Sequence, residues 1–232
     1  SKDSAPCFRR DGALAFLSSR QPNEVKPDDD ADKRMQVWLL PAGGGEPQQL
    51  TDEPLGVEAF RFARNADRLV LLAPVLSGVD HGKQREVEAE RRKKGSSARK
   101  YTKQPVRHWD HWLHEGEARP NTHVIACAGD GTGRRDLTPQ ARRELSIEPE
   151  FDLTRDGRQV AITWQTTGED RELDTAILLI DVASGASRLL GAGENTNNES
   201  PRFAPDGATL AVVRSTRSPQ RVVRPTLSLI DT

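Results

Sequence analysis

A turn signature that occurs four times constrains this chain more than any other feature. An aromatic or apolar residue is followed three steps later by Asp or Asn, then by a small residue and an extended run. It reads Phe8-Arg9-Arg10-Asp11-Gly12, then Phe62-Ala63-Arg64-Asn65-Ala66, then Leu153-Thr154-Arg155-Asp156-Gly157, then Phe203-Ala204-Pro205-Asp206-Gly207. Asp-Gly between two extended runs is a hairpin signal, because Gly accepts the positive φ of a tight turn and Asp bonds its own backbone there.

A second signature follows each of the first three units at a distance. Val37-Trp38-Leu39-Leu40 leads through Gly43-Gly44-Gly45 to Gln49-Leu50-Thr51. Val124-Ile125-Ala126-Cys127 leads through Gly131 and Gly133 to Asp136-Leu137-Thr138, and Ile177-Leu178-Leu179-Ile180 leads through Ser184-Gly185 to Arg188-Leu189-Leu190. Each is a strand, a Gly-rich turn and a second strand. Thr226-Leu227-Ser228-Leu229-Ile230-Asp231 begins a fourth. The unit is therefore four short antiparallel strands with a period near 50 residues, which describes a blade of an all-β propeller. A β-sandwich of hairpins is the structural alternative.

The turn positions Asp11, Asn65, Asp156 and Asp206 lie 54, 91 and 50 residues apart, so the middle interval carries a polar insertion. The expected organisation is blades at about 1–56, 57–144 with a charged insertion at 78–105, 145–198, and an incomplete 199–232. The chain starts with little strand before its first turn and stops inside a blade. It is expected to be part of a longer polypeptide, about four blades of a seven-bladed ring.

Lys+Arg 34 against Asp+Glu 35 leaves a net charge of −1, which gives no reason to expect nucleic acid or an anionic membrane as a partner. No run reaches the length of a membrane helix, and the N-terminus lacks the apolar core of a signal peptide. Cys7 and Cys127, the only cysteines, do not make a disulfide framework. They are read as core side chains in a reducing, cytoplasmic compartment.

Three groups of residues resemble the N-terminal propeller of the prolyl oligopeptidase family of serine peptidases, in its acylaminoacyl-peptidase and dipeptidyl-peptidase-like branches. They are the turn Ser200-Pro201-Arg202-Phe203-Ala204-Pro205-Asp206-Gly207, the run Trp38-Leu39-Leu40-Pro41 with Gly44 to Thr51, and a charged insertion ending in Tyr101 and Arg107-His108-Trp109-Asp110-His111-Trp112. The blade turns are shared with TolB-type propellers. The insertion is similar to the second-blade insertion of bacterial peptidases of this branch. The resemblance implies a non-catalytic propeller that gates peptide access to a C-terminal α/β-hydrolase domain of the same polypeptide. It implies no cofactor, and self-association into a homo-oligomer stays open. The chain contains no Gly-x-Ser-x-Gly elbow, so no nucleophile is expected within it. A stand-alone TolB-like propeller binding a protein partner is the alternative, and a metal-dependent or sugar-active propeller enzyme is a third reading.

Arg107, His108, Trp109, His111 and Trp112 are the substrate-facing candidates. The bland reading of the same residues is a strand whose tryptophans pack into blade contacts. Within such a strand His108 and His111 fall on opposite faces, which disfavours a zinc site. Lys83 to Lys103 holds nine basic and three acidic residues with a single aromatic, Tyr101, which suits a solvated hairpin or short helix better than a nucleic-acid surface. Gly129 to Gly133 leads from strand to strand, so it reads as a hairpin and not a phosphate loop. Asp28-Asp29-Asp30-Ala31-Asp32 lacks the Gly and distal Glu of a calcium loop.

Overall fold

The structure is a computed structural model that describes residues 3–20, 34–94, 107–108, 111–112, 120–141, 150–166, 174–217 and 223–232. The acidic run at 28–32 and Tyr101 lie outside these residues.

The first sheet is β1 (Asp3–Phe8), β2 (Leu14–Ser18), β3 (Gln36–Leu40) and β4 (Gln48–Gln49), paired in that order. The second is β5 (Ala59–Phe62), β6 (Leu69–Val75), β9 (Asn121–Cys127) and β10 (Arg135–Asp136). Between β6 and β9 lie a 3-10 turn at His81–Lys83, the helix α1 (Gln84–Lys94), and a separate two-stranded ladder of β7 (Arg107–His108) and β8 (His111–Trp112). The third sheet is β11 (Phe151–Leu153), β12 (Gln159–Gln165), β13 (Thr175–Asp181) and β14 (Ser187–Leu190). The fourth is β15 (Thr196–Phe203), β16 (Thr209–Thr216) and β17 (Thr226–Asp231), touching the third at one parallel pair, Thr175 opposite Asn197.

The recurring turns join the first two strands of every sheet. In each, the amide before the turn bonds a carbonyl beyond it: Arg9 to Ala13 at 2.8 Å, Ala63 to Arg68 at 2.9 Å, Thr154 to Gln159 at 3.0 Å and Ala204 to Thr209 at 2.8 Å. Asp11, Asp156 and Asp206 each accept an amide two residues on, as the Asp-Gly signature predicts. Gly157 sits at φ 72°, and a Cβ there would lie 2.9 Å from Arg68 Cβ and 3.1 Å from Ala63 Cβ. That glycine therefore serves both its own turn and the close approach of the second and third sheets.

Strand alternation sorts the apolar side chains into layers between sheets. Leu69, Leu71 and Ala73 of β6, with Ile125 and Cys127 of β9, pack on Ala15, Leu17 and Val37 of the first sheet. The intervening Val70, Leu72, Val124 and Ala126 pack the other way, on Phe151, Leu153, Val160, Ile162, Leu178 and Ile180 of the third. Ala161, Ile177 and Leu179 then face Leu210 and Val212 of the fourth. Each buried Leu, Ile or Phe is worth about 1.5–3 kcal/mol, so these layers outweigh the exposed ion pairs, at roughly 0–1 kcal/mol each.

Polar groups tie the layers together. Arg135 donates to the carbonyls of Val182 and Ser184 at 3.1 and 2.8 Å and also to Ala183, capping a turn of the third sheet. Arg134 Nε meets the buried Glu53, in the loop after β4, at 2.9 Å. The Leu-Thr pairs after β4 and β10 also acquire a purpose. Thr51 and Thr138 offer their hydroxyl oxygens to the amides of Val37 and Val124, both at 2.9 Å, where the outer strand has ended.

Two expectations are corrected. β1 supplies six residues before the first turn, where the sequence suggests little strand. Pro6 and a bulge between Ser4 and Cys7 mask the alternation. Arg107–Trp112 is not one strand of the second sheet. The ladder pairs Arg107 with Trp112 and His108 with His111, so the chain reverses between the two histidines. The four apolar residues from Val124 to Cys127 bury both faces of a central strand, and Arg107, His108, Asp110 and His111 do not suit such a position.

Candidate functional site

The first strand of each sheet, with the turn that follows it, borders one cavity of about 890 Å³. β1, β5, β11 and β15 thus share an axis, and the repeat places equivalent residues around it. Ala5 and Ser200 occupy one repeat position, each directly before a proline, and both adopt a left-handed backbone at φ 51° and 54°. Each sits beside a bulge in its strand. Such a conformation costs a non-glycine residue on the order of 1–3 kcal/mol, and here it kinks the strands on the cavity side.

The lining is basic. Arg9, Arg10, Arg61, Arg64, Arg155 and Arg202 line the cavity together with the carboxylates of Glu150 and Asp152. Three of these arginines are built into the wall. Arg9 donates to the Gly129 carbonyl at 3.1 Å, pairs with Asp11 at 3.1 Å and lies 5.3 Å over the Phe62 ring, which joins the first sheet to the second. Arg61 donates to the Phe151 carbonyl at 2.8 Å and stands 3.7 Å from Asp152, joining the second to the third. Arg202 donates to the carbonyl of Pro201 at 2.7 Å. Asp152 also accepts the Phe203 amide at 2.8 Å and so links the third sheet to the fourth.

Arg10, Arg64 and Arg155 differ. All three are exposed, and no side-chain hydrogen bond or ion pair with another described residue engages them. Phe8, 75% exposed, lies beside them in the lining. The cavity therefore offers guanidinium donors and an aromatic face.

The backbone places Arg107, His108, His111 and Trp112 in the β7–β8 hairpin, and their side chains and Trp109 lie outside the described residues. Within the basic stretch Gln84–Lys94 form α1, with Arg92–Glu88 and Lys94–Glu90 pairs along its surface. Gln84 anchors its start, donating to the Leu76 and Val79 carbonyls at 3.0 and 2.7 Å and accepting the Leu76 amide at 2.7 Å. Arg34 reaches Glu88 at 3.1 Å and Arg85 reaches the Pro54 carbonyl at 3.1 Å, so the helix docks on the first sheet. His123 Nδ1 lies 2.7 Å from Asp136 Oδ2, but the imidazole is 1% exposed and belongs to the interior of the second sheet. Among the described residues no three or more His, Cys, Asp or Glu gather as a metal site, and no helix is long and apolar enough to cross a membrane. Both cysteines are free, and burial pushes the Cys127 thiol up to about 11.

The arginine site carried a signal that the sequence reading passed over. Aligning the four turn signatures places Arg10, Arg64 and Arg155 in one column, immediately before the Asp or Asn.

No family model matches the chain, and no curated protein matches it. Solved structures do. A chain of a nidogen/laminin complex is 11% identical with a TM-score of 0.51, covering 97% of this chain and 64% of that one. A TolB-like protein from Agrobacterium tumefaciens is 13% identical with a TM-score of 0.50, covering 99% and 61%. A prolyl endopeptidase, one of two studied for inter-domain dynamics in catalysis and specificity, is 11% identical with a TM-score of 0.50, covering 98% and 29%. The chain folds as β-propeller blades. It spans less than two thirds of each of these chains, and at such identities the likeness concerns the fold alone. In propeller terms, the cavity is the axial channel, β1, β5, β11 and β15 are the innermost strands of four successive blades, and the arginines stand where those strands leave the channel.

Proposed function

We propose that these blades gate peptide access in a cytoplasmic serine peptidase that cleaves short peptides, of the acylaminoacyl- or dipeptidyl-peptidase type, and take no part in its chemistry. The observation that carries this reading is the axial channel of about 890 Å³, walled by innermost strands and rich in guanidinium donors. A channel of that size suits an extended peptide and excludes a folded domain. The partner is an α/β-hydrolase domain of the same polypeptide. Two free cysteines suit a reducing compartment.

The decisive experiment measures binding of fluorescein-labelled short peptides by anisotropy, beside a folded protein that displays the same sequence in a structured loop. The expected result is saturable binding of the free peptides, no binding of the folded protein, and no peptide hydrolysis. Equal binding of the folded protein contradicts the channel. A second reading, a TolB-like propeller that holds a protein partner on its outer face, draws on the similarity to the Agrobacterium protein. It predicts the reverse order, with folded protein bound and short peptides ignored.

A further inference from the structure

The turn repeat puts Arg10, Arg64, Arg155 and Pro205 at one position in four successive blades. Equivalent positions of a propeller lie at one height around its axis, so three of four blades present a guanidinium to the same channel mouth. We propose that Arg10, Arg64 and Arg155 form a carboxylate-binding rim that captures a peptide by its C-terminal carboxylate or by an acidic side chain. This rests on the peptide-gating reading above and adds the chemistry of the ligand.

The surrounding charges support the assignment. Each rim arginine precedes a turn residue whose side chain is occupied or neutral. Asp11 is held by the Ala13 amide and Arg9, and Asp156 by Thr154 and the Arg158 amide; Asn65 carries no charge. The channel carboxylate of Asp152 is taken up by the Phe203 amide and Arg61. Among the described residues Glu150 is the remaining acidic group in the lining, against three guanidinia that no described side chain engages. The repeated turn thus fixes its own carboxylates and leaves the arginines facing solvent.

The rim is mounted on turns that brace one another. The Asn65 amide donates to the Arg155 carbonyl at 2.7 Å, linking the second turn to the third. The first and second turns enclose a further cavity of about 410 Å³, to which Arg10 contributes. Guanidinium groups on such mounts match the two oxygens of a carboxylate through paired N–H donors, and a low-dielectric wall focuses their field on the mouth. Phe8, exposed beside Arg9 and Arg10, supplies an apolar face for the adjoining peptide side chain, which an inorganic anion would leave unused.

The test uses one alanine-rich, fluorescein-labelled peptide in three forms: free acid, C-terminal amide, and C-terminal amide carrying one glutamate. Anisotropy titrations with the wild-type chain should show the free acid bound about tenfold more tightly than the plain amide. Recovery of tight binding by the glutamate-bearing amide assigns the rim to any carboxylate, and its absence assigns it to the chain terminus. Simultaneous Arg10→Gln, Arg64→Gln and Arg155→Gln should abolish the preference and leave the amide's affinity unchanged. Arg158→Gln, on the same turn as Arg155 but outside the channel lining, should leave the preference intact. Circular dichroism melts verify folding of each variant. Equal binding of acid and amide by the wild type overturns the rim and spares the peptide reading. A preference that survives the triple substitution overturns the choice of residues. Absence of binding by all three peptides overturns both.

Discussion

In the second and third blades other described residues cover the central strands on both sides; in the fourth, described residues cover only one side. Leu69 to Ala73 of β6 and Ala176 to Ile180 of β13 are buried in unbroken runs, because each residue meets either the preceding or the following blade. In the fourth blade Leu210 and Val212 are buried against the third, while Leu227 and Leu229 of β17 are 79% and 72% exposed. The same strand chemistry therefore has two energetic fates, set by whether a neighbouring sheet lies within reach. Stability in this architecture is a sum over interfaces between blades, and a blade without a neighbour on one side is held by half as many.

Substitutions can break or sharpen that contrast. The largest effect is expected for Ile162→Ala, which empties a site between the second and third blades and should lower unfolding stability by about 2–5 kcal/mol in urea titrations. Leu229→Ala, on the uncovered face, should change it by less than about 0.5 kcal/mol. Equal losses would contradict the contrast.

Next comes Gly157→Ala. The left-handed backbone penalises Ala by about 1–2 kcal/mol, and a Cβ at Gly157 also presses on Ala63 and Arg68 across the interface. Gly44→Ala is the matched control, with φ 81° and nothing within 4 Å of the added carbon, so thermal melts should show only the backbone penalty. Thr138→Val removes the hydroxyl that accepts the buried Val124 amide and should cost about 1–3 kcal/mol.

A smaller effect follows from acid. Hydrogen bonds from Thr132, Thr154 and Ser184 hold the carboxyls of Asp130, Asp156 and Asp181 below their ordinary value. Their contribution is present above the unfolded-state value and is lost as pH falls through the lowered folded one. Melting temperatures should therefore decline below about pH 4, and Asp156→Asn should flatten part of that decline. The least perturbing probe is alkylation. Cys127, buried between the first two blades with its thiol raised to about 11, should resist iodoacetamide until the protein unfolds, as read by mass spectrometry.

Much of this was written in the sequence, because turns and central strands are local. Asp11, Asp156 and Asp206 with their glycines specify hairpins on their own, and runs such as Val160-Ala161-Ile162 announce burial on both faces. The docking of α1 was not legible, since it depends on Gln84 meeting Leu76 and on Arg34 meeting Glu88, pairs that no periodicity reveals. The left-handed Ala5 and Ser200 were equally hidden, because nothing in their identity demands that backbone. The cavity formed where the repeat is most regular. The rim arginines were in plain sight as a column of the repeat, and only the arrangement of four turns beside one axis gave that column a place to act.

Hydrogen exchange followed residue by residue bears most directly on the stacking of blades. Amides of β6, β9, β12 and β13 should exchange only through global unfolding, while those of β17 should exchange through local opening at lower free energy. Protection of β17 equal to that of β12 would contradict a fold in which each blade is stabilised by the neighbours on its two faces.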